Sequence, residues 1–132
     1  MITLSLVTPE GLYREVETSR ITVDTIDGQR GILSNHMPIV LMLKIGKLKT
    51  VENGVDKHYT INGGMLYFEN NVAKILSDAI EDVETIDVDR AQKAADRAKD
   101  LLMKKADNLD VARAQLALAR AMNRINAVNK YQ

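Results

Sequence analysis

The chain has 132 residues, 45% hydrophobic but only 4% aromatic, so its core is aliphatic and sized for one domain or a small domain with an appendage. A formal net charge of zero argues against a general nucleic-acid coat protein, and the absence of cysteine removes disulfides, thiolate metal sites and thiol nucleophiles together. No apolar run approaches the roughly 20 residues of a bilayer-spanning helix.

The N-terminus, Met1-Ile2-Thr3-Leu4, lacks the basic-then-apolar layout of a signal peptide, and the expectation is a mature protein that starts here, inside a cell. Ile2, Leu4 and Leu6 alternate with Thr3, Ser5 and Val7, the period of two that buries one strand face. Thr8-Pro9-Glu10-Gly11 reads as a turn, residues 12–18 and 19–25 as further strands, and Asp27-Gly28 as another turn. Residues 28–38 are too short and irregular for an element and read as a loop. Its apolar Ile32, Leu33 and Met37 either tuck under the sheet or form a docking surface. His36 has no serine motif or cysteine beside it, and the only other histidine is His58, so no catalytic role is expected.

Residues 39–45 form a nearly continuous apolar run, the pattern of a strand buried on both faces. Strands at 48–51 and 55–61 flank Glu52-Asn53-Gly54, whose Asn-Gly pair is a strong hairpin signal. Asn62-Gly63-Gly64 turns the chain again, 65–69 returns, Asn70-Asn71 makes one more turn, and 72–77 closes the series. Short strands with turn chemistry between them indicate an antiparallel β-sandwich, with a barrel as the alternative.

The chain changes character between Glu81 and Ala91. All glycines and both prolines precede this stretch, and Asp87 has the position of a helix N-cap. Beyond it Val88, Ala91, Ala95, Ala98 and Leu102 recur at helical spacing. Ala106-Asp107-Asn108-Leu109-Asp110 interrupts the pattern with capping residues, and Val111, Ala114, Leu118, Ala121, Ile125 and Val128 resume it. Two such seams with a short link indicate an antiparallel helical hairpin. The expected division is a β-sandwich over 1–85 and a helical hairpin over 86–132, an α+β chain. Alanine dominates the seams, so the hairpin buries little apolar area and is marginal alone.

Charge follows the same division. Through Thr85 there are eight Lys or Arg against twelve Asp or Glu; from Ile86 there are ten against six. After Asp110 no acidic residue remains, only Arg113, Arg120, Arg124 and Lys130. Arg90 and Arg97 share a face of the first helix, and Arg113, Arg120 and Arg124 one face of the second. Each alone reads as a solvated side chain. As a set without acidic partners at i±4, they point to an anion: phosphates or an acidic protein surface.

From end to end the chain resembles the epsilon subunit of bacterial F-type ATP synthases. The likeness rests on Val7-Thr8-Pro9-Glu10-Gly11, on Asp27-Gly28 with Gly31-Ile32-Leu33, Asn35-His36 and Pro38, and on Asn62-Gly63-Gly64. Ile86-Asp87-Val88-Asp89-Arg90-Ala91 and Arg120-Ala121-Met122-Asn123-Arg124 complete it. The resemblance implies a non-catalytic rotor subunit, peripheral to the cytoplasmic face of the bacterial cell membrane. Its sandwich would bind the gamma subunit and the c-subunit ring, coupling proton flow to ATP synthesis. Its hairpin would rise along gamma toward the alpha/beta catalytic subunits and inhibit ATP hydrolysis. For the docking surface the resemblance singles out Gly31, Ile32, Leu33, His36, Met37 and Pro38. Where the family usually has glutamate and an apolar residue between the two glycines, this chain has Gln29-Arg30, a departure that bears on the c-ring contact.

Several bacterial members bind ATP on the folded-down hairpin through an Ile-Asp-x-x-Arg-Ala motif. Carried over, the motif is Ile86, Asp87, Arg90 and Ala91, supported by Glu81, Arg97, Arg120 and Arg124. ATP would be a regulatory ligand and not a cofactor, since no G-x-x-x-x-G-K-[ST] phosphate loop exists for hydrolysis. No metal site is expected. A free-standing ATP-sensing module is the alternative reading. A nucleic-acid adaptor fits worse, given neutral charge and few aromatics to stack on bases.

Overall fold

The computed structural model describes residues 1–104 and 109–132. Eight strands come first: β1 (Ile2–Thr8), β2 (Gly11–Thr18), β3 (Arg20–Thr25), β4 (Gly28–Leu33), β5 (Ile39–Glu52), β6 (Val55–Glu69), β7 (Val72–Leu76) and β8 (Ile80–Asp82). A 3₁₀ turn (Val83–Thr85) then leads to α1 (Val88–Lys104) and α2 (Val111–Tyr131). The chain divides into two compact units, Met1–Asp82 and Val83–Gln132.

In the first unit the strand order is β2-β1-β7-β6-β5-β3-β4, with β8 beside β6. Only the β1–β7 pair is parallel among the pairings of the described residues. The long strands β5 and β6 hold one register from Ile39↔Phe68 to Glu52↔Val55, and each passes through both layers of the sandwich. β6 pairs with β8 at Tyr59–Ile61 and with β7 at Met65–Glu69. The change falls at Gly63 and Gly64, whose φ angles of 80° and 113° suit glycine. A Cβ on Gly64 would lie 1.9 Å from the Leu76 carbonyl oxygen, so only a bare backbone lets β6 and the end of β7 lie this close.

β5 bends opposite the same place. Its pairing with β3 shifts between Val23 and Thr25, and the Asp24 carboxylate accepts the Lys47 amide at 2.8 Å. Gly46 makes room, because a Cβ there would sit 2.6 Å from that carboxylate oxygen. The inward faces of both layers form one aliphatic core that includes Ile2, Leu4, Ile21, Leu48, Ile61 and Leu66.

Four sequence expectations change. Residues 28–33 form strand β4, paired with β3 from Arg20↔Leu33 to Thr25↔Gly28, and are not loop. The ladder partner supplies what their weak alternation hid: only Ile32 is buried, while Leu33 faces outward. Residues 39–45 are not buried on both faces, since Val40 and Met42 are about half exposed while Leu41 and Leu43 are buried. Residues 62–64 bend a continuous strand instead of ending one, so four expected strands merge into β5 and β6. Val111, expected on the seam, is exposed. The Asn53-Gly54 hairpin is as read, with both residues at positive φ.

In the second unit Val88, Ala91 and Ala95 of α1 share a cluster with Leu118, Ala121 and Ile125 of α2. The start of one helix thus meets the later part of the other, as an antiparallel hairpin requires. Asp87 caps α1, its carboxylate accepting the Arg90 amide at 3.1 Å, and Asp110 caps α2 through the Arg113 amide at 3.0 Å. Residues 106–108 of the expected break between helices lie outside the described residues.

Candidate functional site

The loop that follows β4 is fastened to the sheet at several points. The His36 amide donates to the Leu33 carbonyl at 3.2 Å, and the His36 ring stands edge-on to Phe68 with centroids 6.0 Å apart. Asn35 donates its amide to the Asn71 side-chain oxygen at 2.6 Å, while the Asn71 side-chain nitrogen donates to the Asn35 side-chain oxygen at 3.0 Å. Held this way, the loop leaves Leu33 and Met37 exposed at 57% and 70%. Gly31 and Pro38 are also exposed, His36 is half-buried, and Ile32 belongs to the core. Of the apolar residues, Ile32 tucks under the sheet, while Leu33 and Met37 are exposed.

Beside the loop, the outer face of β5, β6 and β7 exposes Val40, Met42, Tyr67, Val72 and Leu76. An open depression of about 740 Å³ lies on this face, lined by Pro38, Val40, Tyr67, Val72 and Leu76 among others. Lys74 and Glu69 also line the depression, so the face is mainly but not wholly apolar. The apolar run at 39–45 contributes to it because β5 turns every second residue outward.

At Asp82, the last residue of the first unit, the polar groups are internal. Its carboxylate is nearly buried and meets Lys57 Nζ at 2.8 Å and Arg14 Nη1 at 3.4 Å. Arg14 also donates to the Tyr59 hydroxyl at 2.9 Å, and that hydroxyl donates to Glu52 at 2.8 Å. Burial first, then the hydrogen bond to Glu52, push the Tyr59 phenol above its ordinary range, against the opposing pull of Arg14. Sequence reading missed this network, because its bonded partners are 7 to 68 residues apart along the chain.

In the second unit the Ile-Asp-x-x-Arg-Ala stretch forms the entry to α1. Ile86 is buried with Val83, Ala127 and Val128. Asp87 is exposed and acts as the cap already described, Arg90 and Arg97 are exposed on α1, and Ala91 is packed in the seam. Arg120 and Arg124 are half-buried on α2, each one residue before a seam position, Ala121 and Ile125. Ala91 shares its cluster with those two positions, so the pairing of the helices brings Arg90 to the same turns as Arg120 and Arg124. The Arg120 Nε is buried and has no hydrogen-bond partner among the described residues. Glu81 lies in β8 of the first unit, opposite Thr60. Gln132, which sequence reading passed over, donates its side-chain amide to the carbonyls of Val83 at 2.9 Å and Ile86 at 3.3 Å, tying the end of α2 to the 3₁₀ turn.

Among the described residues no group of three or more His, Asp or Glu is placed to hold a metal, and no helix is long and apolar enough to cross a membrane.

Known proteins share this architecture. Residues 1–83 match the family model described as the β-sandwich domain of the ATP synthase Delta/Epsilon chain, and residues 84–129 match its long α-helix domain. The ATP synthase epsilon chain of Latilactobacillus sakei is 37% identical over 138 residues, covering 100% of this chain and 95% of its own. That of Symbiobacterium thermophilum is 39% identical over 127 residues, covering 96% and 91%. A chain in the structure of the Euglena gracilis mitochondrial ATP synthase, OSCP/F1/c-ring in rotational state 1, has the same fold, with a TM-score of 0.83 at 23% identity over 96% of this chain and 81% of its own. Matched in both units and along its whole length, the chain belongs to the ATP synthase epsilon-chain family.

Proposed function

We propose that this protein is a non-catalytic central-stalk subunit of a proton-translocating F-type ATP synthase, whose β-unit docks on the rotor and whose helical unit senses ATP and restrains hydrolysis. Family membership supports the first part, together with the exposed apolar face of Val40, Met42, Tyr67, Val72 and Leu76 beside Leu33 and Met37. That face fits the gamma subunit and the c ring as partners, and would hold the protein at the cytoplasmic face of the membrane through the complex.

The sensor reading rests on one observation above the rest: the buried Arg120 Nε has no hydrogen-bond partner among the described residues. A buried donor left unmatched costs about 1–3 kcal/mol, and a phosphate oxygen would satisfy it with a charge-assisted bond. Arg90, Arg97 and Arg124 supply further positive charge on the two helices. Glu81 enters only through the family motif. ATP bound by the paired helices stabilises that pairing by RT ln(1 + [ATP]/Kd) over a separated form that cannot bind it. Falling ATP would release the helices to reach the catalytic subunits.

Calorimetric titration tests this directly. ATP should bind the wild type with measurable heat and bring fluorescent labels on α1 and α2 closer, whereas Arg120→Met should need far more ATP for the same shift. No heat and no shift at millimolar ATP would assign these arginines instead to an acidic protein surface.

A further inference from the structure

The two-residue turns at the ends of β6 differ by one residue in a telling way. Asn53-Gly54 joins β5 to β6, and Asn70-Asn71 joins β6 to β7, with all four residues at positive φ. Glycine meets the second position of such a turn with least strain. Asn71 stands there at φ 61°, and its side chain does what glycine could not. It reaches Asn35, 36 residues away in sequence and itself at φ 67°, and the two exchange hydrogen bonds in both directions.

The turn is a firm anchor. The Asn71 carbonyl accepts the Thr3 amide at 3.0 Å, so the turn is joined to β1, the strand beside β7. The loop it holds presents Met37 and continues directly from Leu33, the last residue of β4; these are the most exposed apolar side chains of the stretch. His36 between them is seated on Phe68, a core residue.

We propose that Asn71 is a positioning residue for the docking loop: through its paired bonds to Asn35 it sets Met37, next to Leu33 at the end of β4, in the arrangement that meets the rotor before contact is made. This rests on the docking role proposed above. A loop ordered in advance loses less conformational freedom on binding, so the clasp acts on affinity without touching the partner. Because the bonds are solvent-exposed, they add little to the stability of the sheet.

The test uses membranes carrying ATP synthase stripped of this subunit, with ATP-driven proton pumping restored by added full-length protein. Asn71→Gly keeps the turn and removes the clasp. It should raise the half-saturating concentration about fivefold, while thermal unfolding of the free subunit changes little and amide exchange at residues 34–37 speeds up. Asn35→Asp keeps both bonds, the backbone donor and the side-chain acceptor, and should behave as wild type; Asn35→Gly keeps the backbone donor and loses only the acceptor, so its effect should fall between wild type and Asn71→Gly. Leu33→Asp is the control for docking itself. If Leu33→Asp abolishes pumping and Asn71→Gly matches wild type, the clasp has no positioning role although docking stands. If Leu33→Asp also restores pumping normally, the docking role fails and the clasp proposal falls with it.

Discussion

The two units of this chain are held together by different means. In the β-unit, large aliphatic side chains such as Leu4, Ile21, Leu48, Ile61 and Leu66 are fully buried, each contributing about 1.5–3 kcal/mol by burial. In the helical unit the buried helix residues are mostly alanines, Ala91, Ala95, Ala98, Ala114, Ala121 and Ala127, with only Ile125 and Val128 larger. An alanine methyl removes little area from water. The helices therefore depend more on their caps, on the Gln132 tie and on any ligand that bridges them. One unit is built to keep its shape, the other to be shifted by small free energies, as the proposed docking and sensing roles would require.

Separation of the units is the widest test of that contrast. A chain ending after Asp82 should retain a cooperative thermal transition, because its core is complete within those residues. A peptide of residues 83–132 should lose most of its helix by circular dichroism, since short helices with small seams are marginal in water. Undiminished helicity in the peptide would remove the distinction.

Next in size is Gly64→Ala. The new Cβ would meet the Leu76 carbonyl oxygen at 1.9 Å, with backbone on both sides and no side chain to yield. Denaturant unfolding should show a loss of about 3 kcal/mol or more, confined to the β-unit.

Asp82→Ala should cost about 2 kcal/mol, below the usual figure for a broken buried pair because Lys57 and Arg14 remain partly exposed and screened. The same network predicts an alkaline effect. Tyr59 holds its proton more tightly folded than unfolded, so stability is level below the ordinary phenol range and declines as pH rises from there toward the raised folded value. Tyr59→Phe should flatten that decline in pH-dependent unfolding; an unchanged alkaline limb would mean that other groups cause it.

The smallest expected change is in the helical unit. Asp110→Ala removes the cap of α2 and should cost about 1 kcal/mol. Hydrogen exchange should show the loss in α2 while the β-unit core keeps its protection; spreading of the loss into β1 or β6 would argue that the units are one cooperative body.

Much of the architecture was legible in the residues. Ile2, Leu4 and Leu6 alternate and are all buried in β1; Asn53-Gly54 makes a hairpin; Asp87 caps α1. Each depends on neighbours within a few positions, where local sterics and hydrogen bonding decide. The apolar residues of the 28–38 stretch were legible by type, but not which of them would be exposed: Ile32 and Leu33 are adjacent and apolar, and their fates diverge because β4 pairs with β3. The arginines of the helices were found from charge alone, while the unmatched Arg120 Nε required the packing of the hairpin to be known.

The amino-acid sequence by itself determined that a strand-rich part precedes two helices, the change of character near Asp87 and the charge of the last helix, because periodicity and capping act over a few residues. Tertiary structure alone decided that Gly63 and Gly64 bend one long strand instead of ending it. It also decided that Asn71 reaches Asn35, and that Asp82 gathers Arg14 and Lys57. Those outcomes turn on which distant backbone happens to lie alongside, and pairing of that kind leaves no trace in the spacing of neighbours along the chain.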